Sequence, residues 1–338
     1  MFAMKVLIVN QEEVRRIFPM DECIEVMERA FLSLAAGKVT QPLRSIMPVE
    51  GGSVLAMMPS CSEEIQAFGA KVISVFPGNH GTEFDAHQGI VLLYEAVHGS
   101  LQAIIDATAI TGIRTAAVSA IATRKLANPG TKSLAILGAG TQGRAHLEAM
   151  RLLFDFESVH VWDLFPESAH RFAESESRRT GLDVRFAATV EEAVTGCDLI
   201  CTTTPAKQPI LQGSWIKDGA HINAIGACTA VTRELDTEAV RKSSLFVDRL
   251  ESTLREAGDF IIPKSEGAIG DSHIKGELGD LLARKIHGRQ SKDEITLFKA
   301  VGLAMQDLAS AKYIFEKAKK AGKGVEVEIG GRHFAMTD

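Results

Sequence analysis

The stretch SLAILGAGTQGRAHLEAMRLL (133–153), with SVHVWD (158–163) after it, decides how the second half of this 338-residue chain folds. SLAILG is a short apolar run of buried-strand type, TQGRAHLEAMRLL reads as a helix, and SVHVWD is a second strand. Between the first strand and the helix stands Gly138-Ala139-Gly140-Thr141-Gln142-Gly143, a full G-x-G-x-x-G. Asp163 closes the next strand about 20 residues further on. In that setting the pattern has a mechanism. The first glycine permits a tight turn, the second lets backbone approach a pyrophosphate, and the third lets the helix pack on the strand. The open N–H groups and the positive end of the helix dipole then face the phosphates. Asp163 can accept hydrogen bonds from the adenosine ribose, and its charge repels a 2′-phosphate. The expected cofactor is therefore NAD(H). NADP(H) stays open, because Arg144 and Arg171 could blunt the preference.

Outward from this unit the alternation continues. PESAHRFAESESRR (166–179) reads as a helix, VRFAAT (184–189) as a short strand and VEEAVTGC (190–197) as a helix. DLICTTT (198–204), HINAIGA (221–227) and SLFVDR (244–249) read as buried strands. Strands alternating with helices predict a doubly wound parallel sheet, with ligands at the carboxyl ends of its strands. Thr202, Thr203, Thr204, Ile225 and Gly226 are then candidate cofactor contacts, with strand-end capping as the alternative for the threonines. A long helix is expected over 293–322.

The first part of the chain has a different rhythm. Met20 to Gly37 reads as an amphipathic helix, with Ile24, Met27, Phe31 and Leu34 on one stripe. LRSIMPV (43–49), SVLAMMP (53–59), GAKVISVF (69–76), IVLLYEA (90–96) and LQAIIDA (101–107) are apolar runs separated by EGG, PGNHG and HGS turns. They predict a mostly antiparallel sheet. Thr108 to Ala127 is rich in small residues and ends at Asn128-Pro129-Gly130, so it reads as a helix joining two domains. The expected fold is α/β: a Rossmann domain over 126–310, plus an α+β substrate-binding and dimerisation domain built from 1–125 with 311–338.

Composition narrows the function classes. Hydrophobic residues are 46% and charged residues 24%, as in globular proteins rather than disordered or collagenous ones. A balance of 37 basic and 43 acidic residues, net −6, argues against a nucleic-acid partner. The cysteines at 23, 61, 197, 201 and 228 are odd in number and form no C-x-x-C. They read as reduced thiols in a cytoplasmic protein, with no metal site. The apolar run in MFAMKVLIVNQEEVRR is too short for a signal peptide, and no stretch of about 20 apolar residues predicts a membrane span.

Three cations stand where cations are unusual. Arg44 lies in LRSIMPV, Lys71 in GAKVISVF, and Arg114 near the start of the alanine-rich helix. A cation in an apolar run is paired or functional, because burying a lone charge is expensive. Either each has a structural ion-pair partner, or the three share an anionic ligand, for which a carboxylate is a good fit. His80, His87 and His98 fall in or beside loops, where a histidine is most often a polar loop residue; Gln88 is a candidate for the nicotinamide end. The chain carries no G-x-S-x-G, H-E-x-x-H or P-loop motif.

With these residues in view, the chain resembles the ornithine cyclodeaminase/mu-crystallin family. The likeness rests on GAKVISVFPGN (69–79), TGIRTAAVSAIA (111–122), LAILGAGTQGRAHLEA (134–149), HINAIGACTAVTRELD (221–236) and TLFKAVGLAMQDLASA (296–311). It implies a homodimer in which Arg44, Lys71 and Arg114 hold a substrate carboxylate. It also implies that Val301 lines the substrate and that Ala300 and Thr115 meet the cofactor. Cyclodeaminases and the related archaeal alanine dehydrogenase look to carry an Asp where this chain has Cys228, and a neutral thiol cannot serve as that carboxylate does. The resemblance therefore implies NAD(P)H-dependent reduction of a cyclic ketimine carboxylate. Δ1-Pyrroline-2-carboxylate, giving L-proline, is the first candidate, and Δ1-piperideine-2-carboxylate, giving L-pipecolate, the next. Orientation of two rings can lower such a barrier by ~7–11 kcal/mol, so the reaction survives without a general base. Cys228 then reads as a small group beside the substrate ring. The alternatives are a cyclodeaminase or alanine-type dehydrogenase and, in another class, a non-catalytic dinucleotide-dependent binding protein.

Overall fold

A computed structural model describes residues 5–79 and 82–329. His80 lies outside the described residues. The chain forms two compact units, one from 1–114 and 303–338, the other from 115–302. Both divisions fall ahead of the 125/126 and 310/311 boundaries read from the sequence, and the first lies inside the helix Ala107–Leu126.

The first unit is built on strands β1 (Lys5–Val9), β2 (Val39–Thr40), β3 (Ser45–Val49), β4 (Ser53–Ser62), β5 (Ala67–Val75), β6 (His87–Glu95) and β7 (Leu101–Asp106), with a further strand Val325–Glu328. The sheet runs from Val325–Glu328 through β1, β7, β6, β5 and β4 to β2, and β3 pairs with β4. All pairings are antiparallel except β1 with β7. The run KVLIV is therefore a strand. Two helices, Met20–Ala35 and Ala304–Ala321, pack on each other, and the second also lies across β4, β5 and β6.

The second unit holds β8 (Ser133–Leu137), β9 (Ser158–Trp162), β10 (Val184–Phe186), β11 (Leu199–Thr202), β12 (His221–Ala224), β13 (Ser244–Val247), β14 (Ile274–Glu277) and β15 (Thr296–Lys299). Their spatial order is β10-β9-β8-β11-β12-β15-β13-β14, parallel throughout. The order reverses between β8 and β11, which is the switch point where doubly wound sheets bind ligands.

Two sequence expectations are corrected. The segment 293–322 is not one helix. TLFK forms β15, with every residue buried between β12 and β13, and the helix begins only at Ala304. A short, wholly buried apolar run gives no periodicity to separate strand from helix, and position in the sheet decides it. Arg44 lies just before β3 rather than within a buried strand, and β3 itself is exposed along its length.

Arg289 ties the end of one helix to the parallel sheet. Its guanidinium donates to the carbonyls of Leu126 and Ala220 at 2.7 and 3.1 Å and to Thr296 Oγ1 at 3.0 Å. Arg289→Ala removes one charged donor from each of these acceptors, leaving the Thr296 hydroxyl on the Leu126 carbonyl and the Thr296 N–H on that of Ala220. It should lower unfolding free energy in urea by about 2–4 kcal/mol; a loss under about 0.5 kcal/mol would show that the tie is redundant.

Candidate functional site

The first unit gathers charge around one carboxylate. Alternation along β5 puts Lys71 on the same inward face as Ala67, Gly69 and Ile73, and the lysine is only 3% exposed. Arg114, on Ala107–Leu126, is 5% exposed. Both meet Asp307, which is fully buried in the helix Ala304–Ala321. Lys71 Nζ lies 2.8 Å from Oδ2 and Arg114 Nε 3.2 Å from Oδ1, while Arg114 Nη1 donates to Gln306 Oε1 at 2.8 Å. Gln41, three residues before Arg44, accepts from the Met305 N–H at 2.9 Å, which fixes the segment carrying Arg44 against the start of that helix.

Burial pulls the Lys71 ammonium down to about 8, against the attraction of Asp307 and with repulsion from Arg114 and Arg44. Burial pushes the Asp307 carboxyl up, but Lys71 and Arg114 outweigh it and hold the group below the ordinary carboxylate value. Arg44 thus acts on the same charge system as the other two cations. One carboxylate balances two buried cations and the field of a third, so the cluster keeps a positive surplus. A surplus of this kind, in a place where an unpaired charge costs several kcal/mol, suits a small anion.

Asp307 and Gln306 were not among the residues singled out from the sequence. A signal existed. Leu303, Asp307, Ala311, Ile314 and Ala318 recur at helical spacing, which puts a carboxylate in the middle of an apolar stripe. Reading 293–322 as one helix hid the phase of that stripe. Gln88, also in this unit, is exposed and donates to the Asp85 carbonyl at 2.9 Å. His87 and His98 are exposed as well.

In the second unit the sheet register aligns one carboxyl edge. Leu137 pairs with Trp162 and with Thr202, Thr202 with Ala224, and Ala224 with Lys299. The residues that follow, Gly138, Asp163, Thr203, Ile225 and Ala300, therefore stand in one row, with Gly226 and Val301 one step beyond. The glycine turn fits a dinucleotide. Gly138 has φ 113°, a conformation that other residues rarely adopt. A Cβ on Gly143 would lie 2.0 Å from the Gly138 carbonyl oxygen, so the helix packs directly on the turn. A Cβ on Gly140 would meet nothing within 4 Å, and no side chain caps the helix Thr141–Met150. Space and open N–H groups thus coincide where a pyrophosphate would be held.

Asp163 has a second duty. Its Oδ2 accepts from the Ala139 N–H at 2.8 Å and its Oδ1 from the Phe165 N–H at 2.9 Å, so it braces the turn that it flanks. Arg144 lies 3.2 Å from the buried Glu176, which also pairs with Arg179. Arg171 reaches Ser168 at 3.4 Å. Both arginines make contacts of their own, and the carboxylate of Asp163 keeps its weight against a 2′-phosphate.

The threonines are strand-end caps. Thr202 and Thr204 donate their hydroxyls to Glu234, and Thr203 donates to the Leu137 and Gly138 carbonyls. Thr115 lies on Ala107–Leu126, and its carbonyl accepts from Ser119 at 3.4 Å. Val301 and Ala300 are buried, and the Val301 N–H donates to Asp248 at 2.9 Å. Cys228 is exposed at the end of the turn after β12. No group of three or more His, Cys, Asp or Glu among the described residues could hold a metal ion, and no helix there is long and apolar enough to cross a membrane.

The family model for the ornithine cyclodeaminase/mu-crystallin family matches residues 4–322. The chain belongs to this family. It is 40% identical over 283 residues to the ketimine reductase mu-crystallin of Mus musculus, which spans 83% of this chain and 86% of that one. The structure of Thermococcus litoralis Δ1-pyrroline-2-carboxylate reductase, in complex with NADH and L-proline, superposes with a TM-score of 0.93. It is 39% identical, over 95% of this chain and all of that one. A dimeric archaeal alanine dehydrogenase with bound NAD superposes with a TM-score of 0.91 at 33% identity, covering 96% and 99% of the two chains. The fold expected, a parallel Rossmann sheet in one unit and a mostly antiparallel sheet in the other, is the fold observed.

Asp307→Asn would leave two buried cations with no carboxylate. It should cost about 3–5 kcal/mol in urea unfolding. A cost below about 1 kcal/mol would mean that Lys71 and Arg114 are balanced elsewhere.

Proposed function

We propose that this chain is an NAD(H)-dependent reductase of cyclic ketimine carboxylates, with Δ1-pyrroline-2-carboxylate as first substrate and Δ1-piperideine-2-carboxylate as second. The observation that carries the reading is the positive surplus around Asp307, in a chain that also has a dinucleotide-binding turn. Arg44, Lys71 and Arg114 take the substrate carboxylate. Arg offers a planar fork and Lys a point charge, so the planar imino acid is fixed in orientation as well as in place. Gly138 to Gly143 and Asp163 hold the dinucleotide, which supplies a hydride for the trigonal carbon when bound.

Lys71 has a second role beyond charge. With its pKa drawn down to about 8 it can give up a proton near neutrality, and Asp307 holds the ammonium in place as it does so. Cys228, where the deaminating relatives look to have an Asp, offers no carboxylate to steady a substrate amine. The amine-oxidising direction is therefore disfavoured, and reduction of a preformed imine is left as the reaction that the residues support. The deciding experiment compares NADH oxidation by cyclic imino acids with that by pyruvate plus ammonia. Turnover of the cyclic imines supports the reading. Faster turnover of pyruvate plus ammonia, or ammonia release from ornithine, overturns it.

A homodimer belongs to the same proposal. Ile46, Met47 and Met57 on β3 and β4 are 53, 55 and 48% exposed, an apolar surface that a second copy would cover.

The Lys71 reading sets a pH dependence. A lysine with a lowered pKa is charged below that value and neutral above it. Affinity for a planar carboxylate such as pyrrole-2-carboxylate should therefore fall as pH rises through about 8. Lys71→Arg, charged across the whole range, should flatten the profile. Lys71→Met should lower kcat/KM by about 100-fold or more while NADH affinity stays within about twofold. An unchanged profile in Lys71→Arg would remove Lys71 from the titration.

A further inference from the structure

A second buried charge cluster lies behind the carboxyl edge of the parallel sheet. Glu234, Asp259 and Lys299 are 0, 2 and 1% exposed. Lys299 ends β15, Asp259 lies in the helix Gly258–Ser265, and Glu234 follows the loop that carries Cys228. The Lys299 ammonium is 2.9 Å from Asp259 Oδ2 and also donates to the Ala227 carbonyl. Asp259 Oδ1 accepts from the N–H groups of Glu234 and Leu235 at 2.8 and 3.0 Å.

Glu234 is encircled by donors. Its Oε1 accepts the N–H and the hydroxyl of Thr204, each at 2.7 Å. Its Oε2 accepts the Thr202 hydroxyl and the Gly226 N–H, each at 2.7 Å, and the Ala227 N–H at 3.2 Å. Burial and Asp259 push the carboxyl above the ordinary carboxylate value, against the pull of Lys299 and of the Thr204 donors. The packing has no slack, since a Cβ on Gly226 would lie 2.7 Å from Glu234 Oε1 and 2.0 Å from the Thr204 carbonyl oxygen. Glu234 thus tethers two strand-end turns, 202–204 and 226–228, and Lys299 holds the second of them at the Ala227 carbonyl. Apolar side chains would fill this interior at lower cost than three desolvated charges. What apolar side chains cannot do is pin backbone N–H and C=O groups to one geometry.

We propose that Glu234, Asp259 and Lys299 are positioning residues, a buried ionic frame that sets the 226–228 turn and the presentation of Cys228 for imine reduction. The proposal rests on the reductase reading for its catalytic consequence, but not for its structural one. Glu234→Gln keeps the volume and replaces an accepting oxygen with an amide that donates towards other donors. Lys299→Met removes the tether on Ala227.

Both are tested in a Cys61→Ser background, which leaves Cys228 as the exposed thiol among the described cysteines. The readouts are the iodoacetamide alkylation rate of Cys228, NADH affinity by fluorescence, and kcat and KM for the cyclic imine. Each variant should change the alkylation rate about fivefold or more and lower kcat about tenfold or more, with KM within about twofold and native circular dichroism. Folded variants with alkylation rate and kcat both within about twofold of the parent overturn the proposal. So does a loss of kcat, KM and NADH affinity together at an unchanged alkylation rate. If either variant fails to fold, Thr204→Val, which removes a single donor from Oε1, must show the same changes at smaller size, and their absence overturns the frame. If the parent reduces no cyclic imine, the reductase reading fails, while the alkylation rates still decide the frame.

Discussion

A single carboxylate, Asp307, settles how the first unit handles its charge. It is buried, and it faces Lys71 at 2.8 Å and Arg114 at 3.2 Å. Without it two cations would stand in an apolar interior at a cost of several kcal/mol each. With it they are held in fixed positions and still outnumber it. Full neutralisation would have given a structural ion pair with nothing left to recruit. Partial neutralisation leaves a positive surplus, and the proposed anion-binding role rests on it.

The parallel sheet solves a different problem with similar means. There the buried charges are turned inward onto backbone. Glu234 takes the N–H groups of Thr204, Gly226 and Ala227, and Lys299 takes the Ala227 carbonyl. The gain there is backbone geometry. Hydride reduction of a planar imine asks for both kinds of contribution. The anion must be gripped, and the rings must be oriented to within fractions of an ångström. A neutral thiol at position 228 is compatible with this division of labour, because neither part calls on a carboxylate there.

Some elements could be read directly and others could not. The glycine turn was legible because its chemistry is local: strand, G-x-G-x-x-G, helix and a following Asp are all close in sequence. Lys71 and Arg114 were legible as anomalies, charges in runs that otherwise read as core. Their partner was not, because Asp307 stands 193 residues beyond Arg114. The threonines at 202–204 illustrate the same limit. Hydroxyls at a strand end look available for a ligand, but Glu234, which claims two of them, lies 30 and 32 residues further along.

The amino-acid sequence by itself determined the class of each unit, because short apolar runs alternating with helical stretches mark a parallel sheet, apolar runs parted by turn residues mark an antiparallel one, and the glycine spacing fixes the turn. It also determined that three cations needed an account. Only the tertiary structure decided which carboxylate they share, that TLFK is a central strand, and that Glu234, Asp259 and Lys299 converge behind one edge. Those facts depend on contacts between residues far apart in the chain. Burial and pairing of charge are properties of the packed molecule and leave no periodic trace in a linear string.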